Sequence, residues 1–193
     1  MSPTAAGVYG LAGTVLFTIA LITFAESYPG YSHATKAVSE LGAIGAPHGM
    51  AWNIIGFILP GLLLAFHGWG LGRVTQSPLV SVLLAISGLA FASTSIPADM
   101  SDMNARTSQI HIAASLAVFA AWLIGALYLG YARSGIQSQL ARWAIGLAIL
   151  AAAIRFSGLL FPGTGQRLAF TVHFLWVAAS SVALVLGKPS DPE

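Results

Sequence analysis

The sequence predicts an all-α fold: a polytopic membrane bundle of about six transmembrane helices forming one domain over residues 1–193. Three observations lead there. First, only 7% of the residues are charged while 56% are hydrophobic, and the mean hydropathy is +0.81. A soluble domain carries roughly a quarter charged residues, so too few are present to solvate a globular surface, and lipid must cover most of it. Second, the apolar residues fall into six windows, each long enough to cross about 30 Å of hydrocarbon at about 1.5 Å per residue. Third, turn signals separate the windows. Ten-residue alternation of the kind barrel strands show is absent. In lipid only a helix satisfies its backbone amides within one segment.

The first window is Ala5–Ala25. No basic segment precedes it, and no small-residue cleavage site leads into a soluble domain, so it reads as a retained span. Its spaced glycines, Gly7 to Gly13, favour close helix packing over phosphate binding. Tyr28-Pro29-Gly30 opens a long connection, Glu26–Pro47. Within it, Ser32 to Leu41 predicts a short helix at the membrane surface or dipping into the bundle, capped by Ser32 and ended by Gly42. The second window, His48–Leu71, contains Pro60-Gly61, which predicts a kink. After Ser77-Pro78 comes Leu79–Pro97, and after Pro97-Ala98-Asp99 comes Ile110–Tyr131. Ser134-Gly135 precedes Leu140–Phe161, and Pro162-Gly163-Thr164-Gly165 precedes Leu168–Gly187.

Several functions are excluded. The net charge of +2 is too small and too scattered for a nucleic-acid partner. No cysteine is present, which removes disulfides, thiolate metal sites and cysteine nucleophiles. H-E-x-x-H, G-x-S-x-G and Walker motifs are missing. Lysine and arginine in short loops set orientation. Arg73, Arg133, Arg142 and Lys188 lie on one side; Lys36, Arg106 and Arg167 lie on the other. This slight bias places both termini in the cytoplasm of a cell membrane, and the Glu26–Pro47, Ala98–Gln109 and Pro162–Gln166 loops outside.

The outward side then collects His33, Ser39, Glu40, His48, Asp99, Asp102, Arg106, His111, Arg155, Arg167 and His173. Depth sharpens the pattern. Arg155 precedes Pro162 by seven residues and His173 follows Arg167 by six, so both lie about 9–10 Å inside their spans. Asn53 falls at a similar level and His111 slightly shallower. Charged groups inside a span usually face the bundle interior or a wet cavity, so these residues predict an outward-opening polar chamber. Each also has a plainer reading. Arg155 can snorkel to the interface, His173 can be a satisfied core histidine, and Asp99 can cap the turn after Pro97. His67, beside Trp69, reads as an interfacial anchor. Trp52, Trp69, Trp122, Trp143 and Trp176 read as lipid-interface or packing residues.

Tyr31-Ser32-His33-Ala34-Thr35-Lys36-Ala37-Val38-Ser39-Glu40-Leu41-Gly42-Ala43, followed by Pro47, Asn53 and Gly56, carries a family resemblance. Further on come Ile96-Pro97-Ala98-Asp99, His111 and Gly165-Gln166-Arg167. Over nearly its whole length the chain resembles the prokaryotic membrane proteins grouped as domain-of-unknown-function family 998. The resemblance implies several spans in a prokaryotic plasma membrane and transfers no catalytic residue. The matching positions Ser39, Glu40, Asn53, Asp99, His111 and Arg167 coincide with the outward set.

The function expected is an intramembrane enzyme acting on a lipid or other apolar substrate. Glu40, Asp99, His111, Arg155 and His173 are its catalytic candidates, and Ser39, Asn53 and Arg167 its substrate-binding ones. In a metal-dependent form, His33, Asp99, His111 and His173 would hold zinc to activate water. This set is similar in residue type to the ceramidase and progestin-receptor class of membrane hydrolases, but no histidine pair four apart stands on one helix. In a metal-free form, Glu40 or Asp99 would act as the acid. The alternatives are a protein that binds or transports a lipid or anion without chemistry, near Arg155 and Arg167, and a haem protein with His111 and His173 as axial ligands.

Overall fold

A computed structural model describes residues 1–187; Lys188, counted above with the basic side, lies outside them. Six helices cross or nearly cross the bundle: α1 Pro3–Glu26, α2 Gly49–Val74, α3 Pro78–Ser93, α4 Arg106–Ala132, α5 Ile136–Phe156 and α6 Pro162–Val185. Five are long and apolar enough to span a membrane. The sixth, α3, has 16 residues, about 24 Å at helical rise. The chain is an all-helical membrane bundle.

Local chemistry sets the helix starts. Ser2 caps α1 by accepting from the Ala5 N–H at 3.1 Å, and Ser77 caps α3 by accepting from the Val80 N–H at 3.3 Å. Each is followed by proline, whose missing N–H costs nothing in a first turn. Three boundaries depart from expectation. α3 ends at Ser93, short of Pro97, where the Thr94 hydroxyl turns back onto the Phe91 carbonyl at 2.6 Å. α5 ends at Phe156, short of Phe161, because Ser157 is followed by Gly158 at φ +77°, the left-handed conformation that terminates helices. Between α1 and α2, the helix expected over Ser32–Leu41 shrinks to one 3-10 turn, Val38–Gly42. The carbonyls of Ala34, Lys36 and Ala37 are taken instead by Thr164, Arg167 and Tyr31.

The kink expected at Pro60 takes the form of a π-helical turn over Asn53–Ile58. Proline cannot donate to the Gly56 carbonyl, and the preceding turn widens so that the Leu59 N–H reaches back to the Ile54 carbonyl.

Close helix pairs are the sequence neighbours α1–α2, α2–α3, α3–α4, α4–α5 and α5–α6, together with α1–α6. The six helices therefore close into a ring in chain order. Small residues permit the tightest approaches. A Cβ on Gly61 would strike the Ala92 backbone, and one on Gly88 would strike that of Ala65, which fixes α2 against α3. On α1, a Cβ on Gly7 would meet the Ser181 carbonyl at 2.6 Å, so the N-terminal glycines do serve close packing. Aromatic side chains fill the ring. Phe17 of α1 stacks on Phe174 of α6 at 4.4 Å between centroids and meets Phe91 of α3 edge-on at 5.4 Å. Trp52, Phe57, Phe119, Trp122 and Phe170 extend this plug.

Candidate functional site

The end of the ring carrying the 27–47 loop holds most of the polar residues singled out by sequence. Arg167, one turn into α6, organises it. Its Nε donates to His33 Nδ1 at 3.1 Å, one terminal nitrogen donates to the carbonyls of Lys36 at 2.8 Å and Gly163 at 3.0 Å, and the other donates to the Tyr31 hydroxyl at 2.6 Å. The Tyr31 hydroxyl in turn donates to the Ala37 carbonyl at 2.9 Å. Gln166 accepts from the Val38 N–H at 2.8 Å, and the Thr164 N–H donates to the Ala34 carbonyl at 3.0 Å. These contacts staple the loop over the start of α6. Burial pushes the Tyr31 phenol up, with the guanidinium opposing. Burial and the same guanidinium hold the His33 imidazole below its usual value.

Beneath the staple, Ser39, Thr94, His111, Gln166 and the rings of Phe57 and Phe119 line a narrow crevice of about 20 Å³. His111 is 7% exposed. Its Nδ1 lies 3.0 Å from the Ile96 carbonyl. A carbonyl can only accept, so Nδ1 carries the proton and Nε2 of the neutral ring is left as an acceptor. Gln166 commits its oxygen to Val38, which leaves its amide N–H groups to donate.

The other candidates are dispersed. Asn53 lines a larger groove of about 370 Å³ beside the 42–49 turn, but its amide donates to the Gly42 carbonyl at 3.0 Å. Glu40 accepts from the Ala37 N–H at 2.8 Å and pairs with Lys36 at 3.4 Å. Asp99 folds its own loop, accepting from the Ser101 hydroxyl at 2.6 Å and the Ser101 N–H at 2.9 Å. These bonds draw its carboxyl below the ordinary range. His48, Asp102 and Arg106 are exposed. Arg155 is also exposed: the early end of α5 puts it in the last turn instead of 10 Å deep, and its stem lies across Gly165. His173 sits mid-helix, 4% exposed, boxed by Trp122 at 4.9 Å, Phe174 at 5.4 Å and Phe119 at 6.2 Å. The single chamber expected from depth is therefore replaced by a crevice, a groove and an aromatic plug.

Cofactor ligands do not assemble. Among the described residues no three His, Asp or Glu side chains gather as a metal-binding group. His33 engages Arg167, Asp99 turns into its loop, His111 bonds Ile96 and His173 lies within the plug. The zinc set His33, Asp99, His111 and His173 thus fails on geometry.

Sequence reasoning missed His67. It is 1% exposed and not an interfacial anchor. Its Nδ1 lies 3.0 Å from the Ala6 carbonyl and 3.4 Å from the Ser181 hydroxyl, and Nε2 lies 3.2 Å from the Ser180 hydroxyl. Gln137 of α5 joins by donating to the Ser180 carbonyl at 3.1 Å. The missed signal was that Gly10, His67 and Ser180-Ser181 stand at matching depth, roughly 6–11 Å from their helix ends.

The profile of a family described as "Protein of unknown function (DUF998)" matches residues 11–185. The chain belongs to the DUF998 family. No curated protein and no solved structure matches it. The matched region of this DUF998 chain takes in the whole staple, the crevice, and His67 with Ser180 and Ser181, but not Ala6 or Gly10.

Proposed function

We propose that this DUF998 protein is an intramembrane hydrolase acting on a lipid or other amphipathic substrate at the loop end, with His111 as its general base. The observation that carries this reading is the fixed tautomer of His111 at the edge of a water-sized crevice that also presents Ser39 and Gln166. About 20 Å³ is room for one water, which needs two to four polar partners. His111 Nε2 can accept the water's proton while Ser39 and the Gln166 amide hold its oxygen, and the substrate's reacting centre meets that water at the mouth of the crevice. The hydroxide so formed attacks an acyl or phosphoryl centre, and the imidazolium returns the proton to the leaving oxygen. The phenyl rings around the crevice keep bulk water out, which strengthens each of these interactions. Here Arg167 positions the loop that carries Ser39; it does not bind substrate.

His111→Asn tests the assignment. An asparagine amide can still donate to the Ile96 carbonyl but offers no acceptor at the Nε2 position. Purified protein is placed in vesicles of total bacterial lipid extract in ¹⁸O-water, and the lipid products are weighed by mass spectrometry. Label should enter a product with the parent protein and fall by at least about 100-fold with His111→Asn, at an unchanged melting temperature. Equal labelling by both proteins sinks the proposal.

A second reading rests on the 370 Å³ groove, whose wall of Ile44, Met50, Ile54 and Ile58 is apolar. Such a groove suits an acyl chain held without chemistry. In that case the vesicle experiment yields no label at all, while lipid co-purifies with the protein.

A further inference from the structure

The other end of the ring, where α1 starts and α6 ends, has a groove of about 320 Å³ between the end of α2 and the start of α3. Trp69, Arg73, Gln76 and Val82 line it. We propose that this groove binds the anionic headgroup of a phospholipid from the adjoining leaflet, with Arg73 and Arg133 supplying the charge.

Three observations support it. Arg73 is exposed on the groove wall, and Arg133 reaches its rim by donating to the Gln76 carbonyl at 2.9 Å. No carboxylate answers them among the described residues at this end. Glu26, Glu40, Asp99 and Asp102 all stand at the loop end, while Arg142 adds a third cation here. A basic pocket between helices suits anionic lipid. Second, Gln76 adopts φ +52°, the only non-glycine among the described residues with positive φ. That conformation closes α2, with the Ser77 N–H on the Gly72 carbonyl at 2.8 Å and the Gln76 N–H on the Arg73 carbonyl at 3.3 Å, and the turn leaves the Gln76 carbonyl to accept from Arg133. Third, the flank is built for a lipid's two halves. Trp69 and Val82 are about half exposed, and tryptophan favours headgroup depth, so an acyl chain has an apolar track beside the cations.

Native mass spectrometry of detergent-solubilised protein reads the binding directly, with dioleoylphosphatidylglycerol and dioleoylphosphatidylcholine supplied in competition. Two arginines near the headgroup predict about 30-fold preference for the anionic lipid, or roughly fivefold for each arginine. Arg73→Gln and Arg133→Gln should each lose about fivefold, and Arg106→Gln at the opposite end should lose nothing. Val82→Trp, which narrows the groove without touching charge, should also weaken the anionic adduct and covers the case in which an arginine variant fails to fold. Equal binding of the two lipids, or an adduct indifferent to Arg73, Arg133 and Val82, overturns the proposal. Displacement of the lipid adduct by equimolar inorganic phosphate assigns the groove to the free ion and overturns it as well.

Discussion

Gly10 of α1 lies directly against the His67 imidazole of α2: a Cβ built on Gly10 would stand 2.7 Å from His67 Nδ1 and would also strike the Ser181 hydroxyl. Three helices meet at that point through polar atoms inside an apolar bundle. The contact needs a backbone without a side chain at one position and a ring with two hydrogen-bonding nitrogens at another.

Gly10→Ala should therefore destabilise the protein by about 1–3 kcal/mol, the usual cost of overpacking. Thermal unfolding in detergent checks this. Gly146→Ala is the control, because nothing lies within 4 Å of the Cβ it would gain. If the two variants melt together, α1 is not packed as described.

Asn53→Ala leaves the Gly42 carbonyl without the amide that reaches it at 3.0 Å and should cost about 1–2 kcal/mol. Asn53→Asp should cost more, since a carboxylate oxygen would face that carbonyl oxygen. Ranking the melting temperatures parent, Ala, Asp tests the order. An Asp variant as stable as the parent would show that the bond is not formed.

Arg167→Lys should release the loop as completely as Arg167→Ala. The guanidinium serves His33, Lys36, Gly163 and Tyr31 at once, a fan of contacts that a single ammonium cannot span. Both variants should lose roughly 2–4 kcal/mol of local stability, read as faster proteolysis within 27–47. Rescue by lysine would mean that charge alone holds the staple.

The staple should loosen in acid. His33 accepts from Arg167 only while its Nδ1 is unprotonated, and its folded value lies below the ordinary 6.5 because of burial and the neighbouring guanidinium. A depressed histidine contributes fully above 6.5 and loses its contribution as pH falls from there through the folded value. Amide exchange over 31–40, corrected for intrinsic rate, should therefore quicken below pH 6.5. His33→Gln, which keeps an acceptor but cannot titrate, should flatten that response. The effect is small because His33 is exposed.

That the chain forms six apolar helices was legible because hydrocarbon thickness demands length and apolarity, and both are written linearly along the chain; five of the six are long enough to span. What faces what was not. In a soluble helix an apolar stripe marks the inner face, but helices apolar on all sides hide their rotation. Depth put Arg155, His173, Asn53 and His111 on one level, yet rotation sends Arg155 outward, His173 into the aromatic plug and Asn53 onto Gly42. Arg155 carried a second error, the overlooked Ser157-Gly158 stop. The loop posed a different difficulty. Its 3-10 turn depends on side chains more than 120 residues away, such as Gln166 bonding Val38, and no local pattern announces such a partner.

Because the ring closes in chain order, α1 and α6 are neighbours that are synthesised last from first. Five helices can dock one after another as they leave the ribosome, each against the one just made. Until α6 arrives, the glycine face of α1 looks onto lipid and His67 lacks Ser180 and Ser181. Assembly thus ends with a zipper between the oldest and youngest segments, and a chain stopped before α6 leaves His67 Nε2 without the serine hydroxyl it meets in the finished bundle, a mark by which quality control can tell the unfinished protein from the finished one.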